Sequence, residues 1–305
     1  MINTSIIGLG KIGFKYDLEK KKNIKNHFKA LSKHRNFKLL SVHDLKKKKL
    51  NGIKKNYNLQ ILTNIEKSYF KDKDVKLVIV SVTTKNHFDV LKDVINRIKP
   101  KVILCEKPFT GKYALSKKIL NLSKKKKIKI FVNYIRISDP NYLKIQKILQ
   151  NKNLYFRIKV YFSYGVLNNA SHYINFLLFC FNNKYKIENV EKFKSLKGND
   201  FNANFRLKFT NASIDFFESS TNVNKEMEIE YGNKKISVYK KNGILINKKR
   251  LKNTVFRYQY NVLNNLNNFY LNKKFNLCSG KMASKTLLIC EKIFKKAYVQ
   301  KINKR

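Results

Sequence analysis

The sequence predicts an α/β protein that begins with a doubly wound parallel sheet and continues into a domain of antiparallel strands. Short β-like runs alternate with helix-like runs through the first half, as βαβ units require. The run "VKLVIVSV" is apolar at nearly every position, which is typical of a strand covered by helices on both faces. In the second half, short strand-like runs separated by turn residues indicate a meander.

The elements of the first half follow in order. Predicted strands cover residues 4–7, 38–42, 77–82, 102–105 and 129–133. Helix-period stretches between them cover residues 26–33, 86–98 and 113–123. We therefore predict a first domain over residues 1–133.

The second domain is predicted over residues 134–305. Its strand-like runs are "LYFRIKVYFSY", "FRLKFTN", "ASIDFFES", "EMEIEYGNKKISVYKK" and "GILINKK". A helix containing His172 and two terminal helices, around residues 261–270 and 283–298, complete the prediction. A chain of 305 residues is long enough for two such domains, because single cores rarely grow beyond this size.

The charge is unusual, but its distribution argues against a dedicated nucleic-acid site. The formal net charge is +48, yet only eight of the 67 basic residues are arginine, the residue best suited to phosphate and guanine. Lysines occur throughout, in tracts such as residues 46–49 and 124–127, as an A/T-rich coding sequence tends to produce. We expect solvated faces and no specific nucleic-acid partner; a polyanion-binding protein remains a less favoured alternative.

The cysteines and the N-terminus indicate a reduced, soluble protein. The four cysteines lie far apart without metal-ligand spacing, so we expect buried thiols and no metal site. No basic leader precedes a long apolar stretch, and no apolar run approaches the roughly 20 residues that a bilayer requires. We expect a cytoplasmic protein with no membrane partner.

The stretch "IIGLGKIGF" places three glycines directly after the first predicted strand. In a dinucleotide-binding fold the first glycine, Gly8, would allow a tight turn, and Gly10 would let the backbone approach a pyrophosphate. The third, Gly13, would let the following helix pack closely, and Lys11 and Ile12 in the same loop are also expected to contact the cofactor. The phosphates would lie at a helix N-terminus. A flexible turn is the alternative, but the position after a strand favours a Rossmann loop.

A carboxylate is expected at the end of the second strand, where it would bind the adenosine ribose. Asp44 ends the run "FKLLSVHD", although the insertion "KYDLEKKKNIKNH" makes its separation from the glycines unusually long. A carboxylate favours NAD because it would repel a 2′-phosphate. The lysines from Lys46 onward could offset that repulsion, so NADP stays possible.

Several motifs in order resemble the glucose-fructose oxidoreductase and inositol dehydrogenase family, usually called Gfo/Idh/MocA. They are "GLGKIG", "DVKLVIVSVTTKNHFDVL", "CEKP", "FVNYIR" and "NNASHYINFLLF", and they span residues 1 to about 180. The resemblance implies a Rossmann domain, then an α+β domain with a large, open, mostly antiparallel sheet whose last helices pack back on the first domain. It also implies a homo-oligomer, dimer or tetramer, that oxidises or reduces a sugar, cyclitol or sugar nucleotide.

The resemblance also assigns residues. Lys107 matches the lysine that contacts the substrate hydroxyl, and His172 matches the acid or base, with the two meeting over the nicotinamide. The expected cofactor contacts are Thr83, His87 and Glu106, and the expected substrate contacts are Asn133, Arg136 and Asn168.

Two positions depart from the family pattern. Many members have aspartates where this chain has Asn168 and Asn175. Amides can orient the histidine ring but cannot stabilise an imidazolium by charge. The N-x-x-x-H arrangement and the long insertion are similar to the branch of surface-polysaccharide and unusual-sugar enzymes. A cofactor-binding sensor or scaffold without catalysis is the main alternative.

Overall fold

The computed structural model describes residues 1–16, 22–46, 59–63, 65, 70, 74–181, 184–196, 200–219, 223–240 and 243–302. By internal contact the chain divides into two compact units. The first unit comprises Met1–Ser138 and Phe256–Ser284, and the second comprises Asp139–Val255 and Lys285–Arg305. The single domain boundary after residue 133 stays a prediction; by contact, residues 134–138 and 256–284 group with the first unit.

The first unit is built on a seven-stranded sheet in the order β15-β6-β5-β4-β1-β2-β3. All neighbouring strands run parallel except β15, which pairs antiparallel with β6. The strand order reverses between β1 and β4, so the carboxyl ends of these strands flank a switch point. The strands are β1 (Ile2–Ile7), β2 (Phe37–His43), β3 (Gln60–Leu62), β4 (Leu77–Val80), β5 (Val102–Cys105), β6 (Lys129–Val132) and β15 (Cys278–Ser279).

The described residues of this unit form helices α1 (His27–Lys33), α2 (His87–Asp93), α3 (Tyr113–Lys125), α6 (Tyr258–Tyr270) and the start of α7 (Gly280–Ile302). Apolar residues of α1 and α6 share one core cluster with strands of the sheet, through side chains such as Phe28, Leu31 and Leu263. The side chain of Asn26 caps α1 by accepting the Lys29 N–H at 2.7 Å.

The second unit holds an eight-stranded sheet in the order β14-β13-β12-β11-β7-β10-β9-β8. Consecutive strands pair antiparallel on both sides, but β7 lies in the middle and runs parallel to β10, so the predicted meander is only partly right. The strands are β7 (Phe156–Phe162), β8 (Lys186–Ser195), β9 (Phe201–Phe209), β10 (Ala212–Glu218), β11 (Lys225–Tyr231), β12 (Lys234–Tyr239), β13 (Gly243–Ile246) and β14 (Lys249–Arg250).

One face of this sheet carries the core of the second unit. Buried and more exposed residues alternate along β7, as a strand with a single covered face requires. Helices α4 (Pro140–Leu149) and α5 (Ser171–Cys180) and the second part of α7 contribute residues to the same apolar cluster. The predicted fold class, a Rossmann-type parallel sheet followed by a largely antiparallel sheet with helices, is confirmed.

The structure also bears on the cysteines and on membrane-spanning helices. All four cysteines are buried thiols, as predicted. Among the described residues, no helix combines the length and the apolar character needed to cross a membrane.

Candidate nucleotide-binding and catalytic site

The three glycines of the N-terminal loop have three different surroundings. Gly8 adopts φ +96°, and a Cβ there would lie 2.7 Å from the backbone at Ser81 and Val82. A Cβ on Gly13 would lie 2.1 Å from the Gly8 carbonyl oxygen. A Cβ on Gly10 would meet nothing within 4 Å among the residues that the structure describes. Gly8 thus has a positive φ in a tight turn, Gly10 has an open approach and Gly13 packs closely on backbone; that they bind a cofactor stays a prediction.

The segment after the glycines differs from the expected helix. Residues Lys11–Lys15 form a single π-helical turn in which Phe14 and Lys15 N–H groups both donate to the Gly10 carbonyl, at 3.0 and 3.1 Å. The regular helix α1 begins only at His27. The inserted residues separate the turn from α1, and residues 17–21 lie outside the described part of the chain.

Asn26 ties the two ends of this insertion together. Its amide Nδ2 donates to the Tyr16 carbonyl at 2.6 Å, while its Oδ1 caps α1. Asn26 is completely buried. The insertion therefore leaves the base of the loop closed, and α1 stays attached to the glycine turn.

Asp44 holds the other side of the glycine loop. Its Oδ2 accepts the Leu9 N–H at 2.8 Å, and its Oδ1 accepts the Lys46 N–H at 3.0 Å. The Gly8 N–H donates to the His43 carbonyl at 2.8 Å, so the end of β2 and the loop are joined twice. The carboxylate expected to bind ribose is thus oriented by backbone donors. The lysines at 47–49, which could offset a 2′-phosphate, lie outside the described residues.

Glu106 is the centre of a buried polar network at the end of β5. Its Oε1 accepts the His27 Nε2–H at 2.7 Å and the Asn133 Nδ2–H at 2.6 Å. Its Oε2 accepts the Lys107 N–H at 3.3 Å. Burial raises the pKa of Glu106, but the hydrogen bond and charge of His27 and the Asn133 bond outweigh it, so the pKa lies below its usual value.

Asn133 connects this network to α6. Its Nδ2 also donates to Gln259 Oε1 at 3.0 Å. The remaining amide atoms, Asn133 Oδ1 and Gln259 Nε2, are buried and have no hydrogen-bond partner among the described residues. Asn133 therefore uses its amide nitrogen inside the protein, and only its oxygen is left for the predicted contact with a substrate.

His87, at the start of α2, contacts the Glu-Lys-Pro loop, which comprises residues 106–108. Its Nδ1 lies 2.9 Å from the Pro108 carbonyl oxygen and its Nε2 lies 3.1 Å from the Val82 carbonyl oxygen. Burial lowers the pKa of the ring, so the neutral form donates through one nitrogen at a time. The Lys107–Pro108 peptide bond is cis. His87 thus joins the loops after β4 and β5, whereas Thr83 is exposed at the first of them.

The remaining candidate of the first unit, Arg136, is half-buried in a 3₁₀ turn, Ile135–Ser138, that follows β6. It comes three residues after Asn133. The turn places it beyond the carboxyl end of the parallel sheet, on the side where open α/β sheets bind ligands.

His172 and Asn168 lie in the second unit, at the start of α5. His172 is half-buried on the first turn of this helix, and Asn168 is exposed on the π-helical turn Val166–Ala170 before it. Asp200 fixes that turn, because its two carboxylate oxygens accept the Leu167 and Asn168 N–H groups at 2.8 and 2.9 Å. Gly165, with φ +93°, allows the carboxylate this close; a Cβ there would lie 2.2 Å from it.

Asn175 has a different role from Asn168. It is completely buried, and its Nδ2 donates to Thr286 Oγ1 on α7 at 2.8 Å. One of the two amides that replace the family aspartates thus joins two helices of the core, while the other lies at the surface near the predicted base.

Sequence reasoning missed three residues that hold the candidate side chains in place. They are His27, Gln259 and Asp200. Each acts on a partner at least 32 residues away in the chain. The apolar spacing of "HFKAL" indicates a buried helix that begins with a histidine, and this signal could have identified His27. No pattern in the sequence marks Gln259 or Asp200.

Comparison with known families supports the resemblance found in the sequence. Residues 2–134 match the Gfo/Idh/MocA model, described as an oxidoreductase family with an NAD-binding Rossmann fold. The expected cofactor, NAD, is confirmed by this match. An uncharacterised oxidoreductase of Schizosaccharomyces pombe is 29% identical over 97 residues, which are 32% of this chain and 26% of that protein. The chain spans at most 40% of the curated relatives that it matches.

Solved structures are similar over nearly the whole chain. An aldose-aldose oxidoreductase from Caulobacter crescentus, complexed with glycerol, has a TM-score of 0.79, 14% identity and coverage of 98% of both chains. An oxidoreductase from Agrobacterium radiobacter in complex with NAD⁺, L-tartaric acid and magnesium has a TM-score of 0.72 and 13% identity, covering 97% of this chain and 96% of that one. At such identities the likeness establishes the fold.

Proposed function

We propose that this protein is an NAD-dependent oxidoreductase that transfers a hydride between nicotinamide and a carbinol carbon of a sugar, cyclitol or sugar nucleotide. One arrangement carries the proposal. The open loop at Gly10 follows β1 and the fixed Glu106-Lys107 loop follows β5, at one edge of the same parallel sheet. Because β4 alone separates these strands, the two loops start about 10 Å apart, within reach of one dinucleotide.

The finer parts of the proposal are a place in surface-polysaccharide or unusual-sugar synthesis, assembly into a dimer or tetramer, and a cytoplasmic location. The first two rest on the family resemblance. None of them changes which residues would carry the chemistry.

The residues of the first unit fit a dinucleotide. The open space over Gly10 admits a pyrophosphate, and Asp44 is held by backbone donors where a ribose would lie. Its negative charge favours NAD over NADP. When bound, the cofactor supplies the hydride acceptor or donor, and the protein must orient the substrate and move one proton.

Asn133 offers a specific contact for a ligand. Its buried Oδ1 has no donor among the described residues, and a buried unpaired oxygen costs roughly 1–3 kcal/mol. A hydroxyl or amide N–H on a bound molecule would satisfy it. Arg136, three residues later, would add a planar donor for a phosphate or carboxylate of a nucleotide-linked sugar.

Lys107 and His172 would carry the proton chemistry. In the oxidation direction the substrate hydroxyl loses its proton to the neutral His172 ring, while the C–H bond gives up a hydride. The Lys107 ammonium donates a hydrogen bond to the oxygen and stabilises its developing negative charge. Asn168 stands where many relatives have a carboxylate, and its amide can orient the ring but places no charge beside it.

Purified protein assayed for NADH formation against sugars, cyclitols and sugar nucleotides tests the proposal. Lys107→Ala and His172→Ala should each lower turnover by about 10²-fold or more while NADH still binds. Lys112→Ala, at an exposed lysine at the far end of the same loop, is the matched control and should keep normal turnover.

The possible outcomes separate the classes of function. NADH binding without turnover on any member of the panel would favour a sensor or scaffold. Near-normal turnover of His172→Ala on an established substrate would remove the role given to this histidine.

A further inference from the structure

His27, at the start of α1 just after the insertion, is joined to the Glu-Lys-Pro loop by a hydrogen bond. It is the first residue of α1, 1% exposed, and its Nε2 lies 2.7 Å from Glu106 Oε1. The two residues are 79 positions apart. No other part of the proposed mechanism uses this buried histidine.

The contact completes a continuous path between the two loops of the candidate site. The glycine turn ends at Tyr16, whose carbonyl accepts from Asn26, and Asn26 caps α1. The next residue, His27, donates to Glu106, and Glu106 accepts the Lys107 N–H. Apart from the peptide bond that joins Asn26 to His27, each step is a hydrogen bond made by a buried side chain.

The charges around Glu106 explain why a histidine suits this position. The groups that act on the carboxylate are His27 from α1, Lys107 from its own loop and the Asn133 amide after β6. His87 from α2 and the buried Cys105 thiol also feel its charge. A buried carboxylate with fewer donors would become protonated, and it would then lose its hold on the loop.

We propose that His27 is a positioning residue, which fixes the Glu106 carboxylate so that the Glu-Lys-Pro loop keeps Lys107 in a set place relative to the glycine loop. The consequence for catalysis rests on the proposed function, since it assumes that Lys107 contacts the substrate. The physical link between the two loops does not depend on the proposed function, and it can be measured by itself.

Three variants separate positioning from ordinary packing. His27→Leu removes the Nε2–H donor, whereas His27→Gln keeps an N–H donor near the place of Nε2 but cannot be protonated. His34→Leu is the matched control. His34 lies at the other end of the same helix, is also buried, and is hydrogen-bonded to Asn264 at 3.0 Å instead of Glu106.

Hydrogen–deuterium exchange measures the link without any substrate. In His27→Leu, amides of residues 104–110 should exchange about tenfold faster or more, while those of β4 keep their wild-type rates. His27→Gln should show a smaller increase, and His34→Leu should leave residues 104–110 unchanged. Unchanged exchange at 104–110 in His27→Leu would overturn the proposal, whether or not a substrate has been found.

Kinetics then test the catalytic consequence on a substrate of the wild-type protein. His27→Leu should lower kcat by about 10- to 100-fold with a much smaller change in KM, because Lys107 is misplaced while the other binding groups remain. The acid limb of the pH profile should move to higher pH, because burial then raises the pKa of Glu106 with less opposition. His27→Gln should have a kcat and an acid limb between those of the wild type and those of His27→Leu. If the kcat and the acid limb of His27→Leu equalled those of His34→Leu, the positioning role of His27 would be refuted.

Discussion

Gly10 and Gly13, three residues apart in one loop, should respond in opposite ways to the same added methyl group. The structure gives Gly10 an ordinary extended conformation, φ −72° and ψ −161°, and open space at its Cβ. Gly10→Ala should therefore keep or slightly raise the free energy of unfolding, by about 0.4–1 kcal/mol, since the unfolded chain loses freedom. Gly10→Val fits the same backbone and should also fold.

Substitution of Gly10 should weaken the binding of NADH. A side chain there occupies the space through which a pyrophosphate would approach, and steric overlap of this kind costs roughly 1–3 kcal/mol. NADH affinity should drop by about 10- to 100-fold in Gly10→Val, because each 1.4 kcal/mol is about a factor of ten.

Gly13 should show the reverse pattern. A Cβ there would overlap the Gly8 carbonyl at 2.1 Å and Ser81 Oγ at 2.9 Å, so the turn must move. Gly13→Ala should lose about 1–3 kcal/mol of stability, which corresponds to roughly 2–10 °C in Tm for a chain of this size.

Thermal unfolding and NADH fluorescence titration on the three variants provide the assay. The result that would refute the reasoning is a Gly10→Val protein with wild-type NADH affinity, because the open face would then not be the cofactor's approach. A Gly10→Ala protein as destabilised as Gly13→Ala would show that the surroundings of the two glycines have been misjudged.

Three further predictions concern charge. Asp44→Asn should narrow the preference for NAD over NADP by about tenfold or more in paired titrations, since it removes the charge but keeps an oxygen for the Leu9 N–H; a wild type that prefers NADP would contradict this. Asp200→Ala should lose about 1–3 kcal/mol of stability by chemical denaturation, because the N–H groups of Leu167, Asn168 and Phe201 lose their acceptor. Asp215→Ala, in a half-exposed pair with Arg206, should lose under about 1 kcal/mol, and equal losses would count against the role given to Asp200. Gel shifts at physiological salt should show only weak DNA binding without sequence preference, because the lysines are scattered; a nanomolar, sequence-selective complex would restore the polyanion interpretation.

Local patterns determined much of the first unit. Each of the five strands predicted in the first half is present, with its ends within two residues of the prediction, because a buried parallel strand must be apolar on both faces. The glycine spacing specified the loop, since a positive φ and a close backbone approach are needs that glycine meets locally. Strands β3 and β15 escaped prediction because two or three residues hold no period.

The partners of the site residues were decided by tertiary structure alone. Glu106 and Lys107 could be located after β5 from sequence, but the donors that hold the carboxylate come from His27 and Asn133, and Asn133 in turn bonds Gln259 on α6. The parallel pairing of β7 with β10 could not be predicted from the sequence either. Each strand has the alternating pattern of a half-buried strand, and this pattern is the same for a parallel and an antiparallel neighbour. The physical reason is common to both. Periodicity and turn chemistry act between residues a few positions apart, whereas a buried ion pair or a strand pairing forms only when folding brings distant segments into one low-dielectric interior.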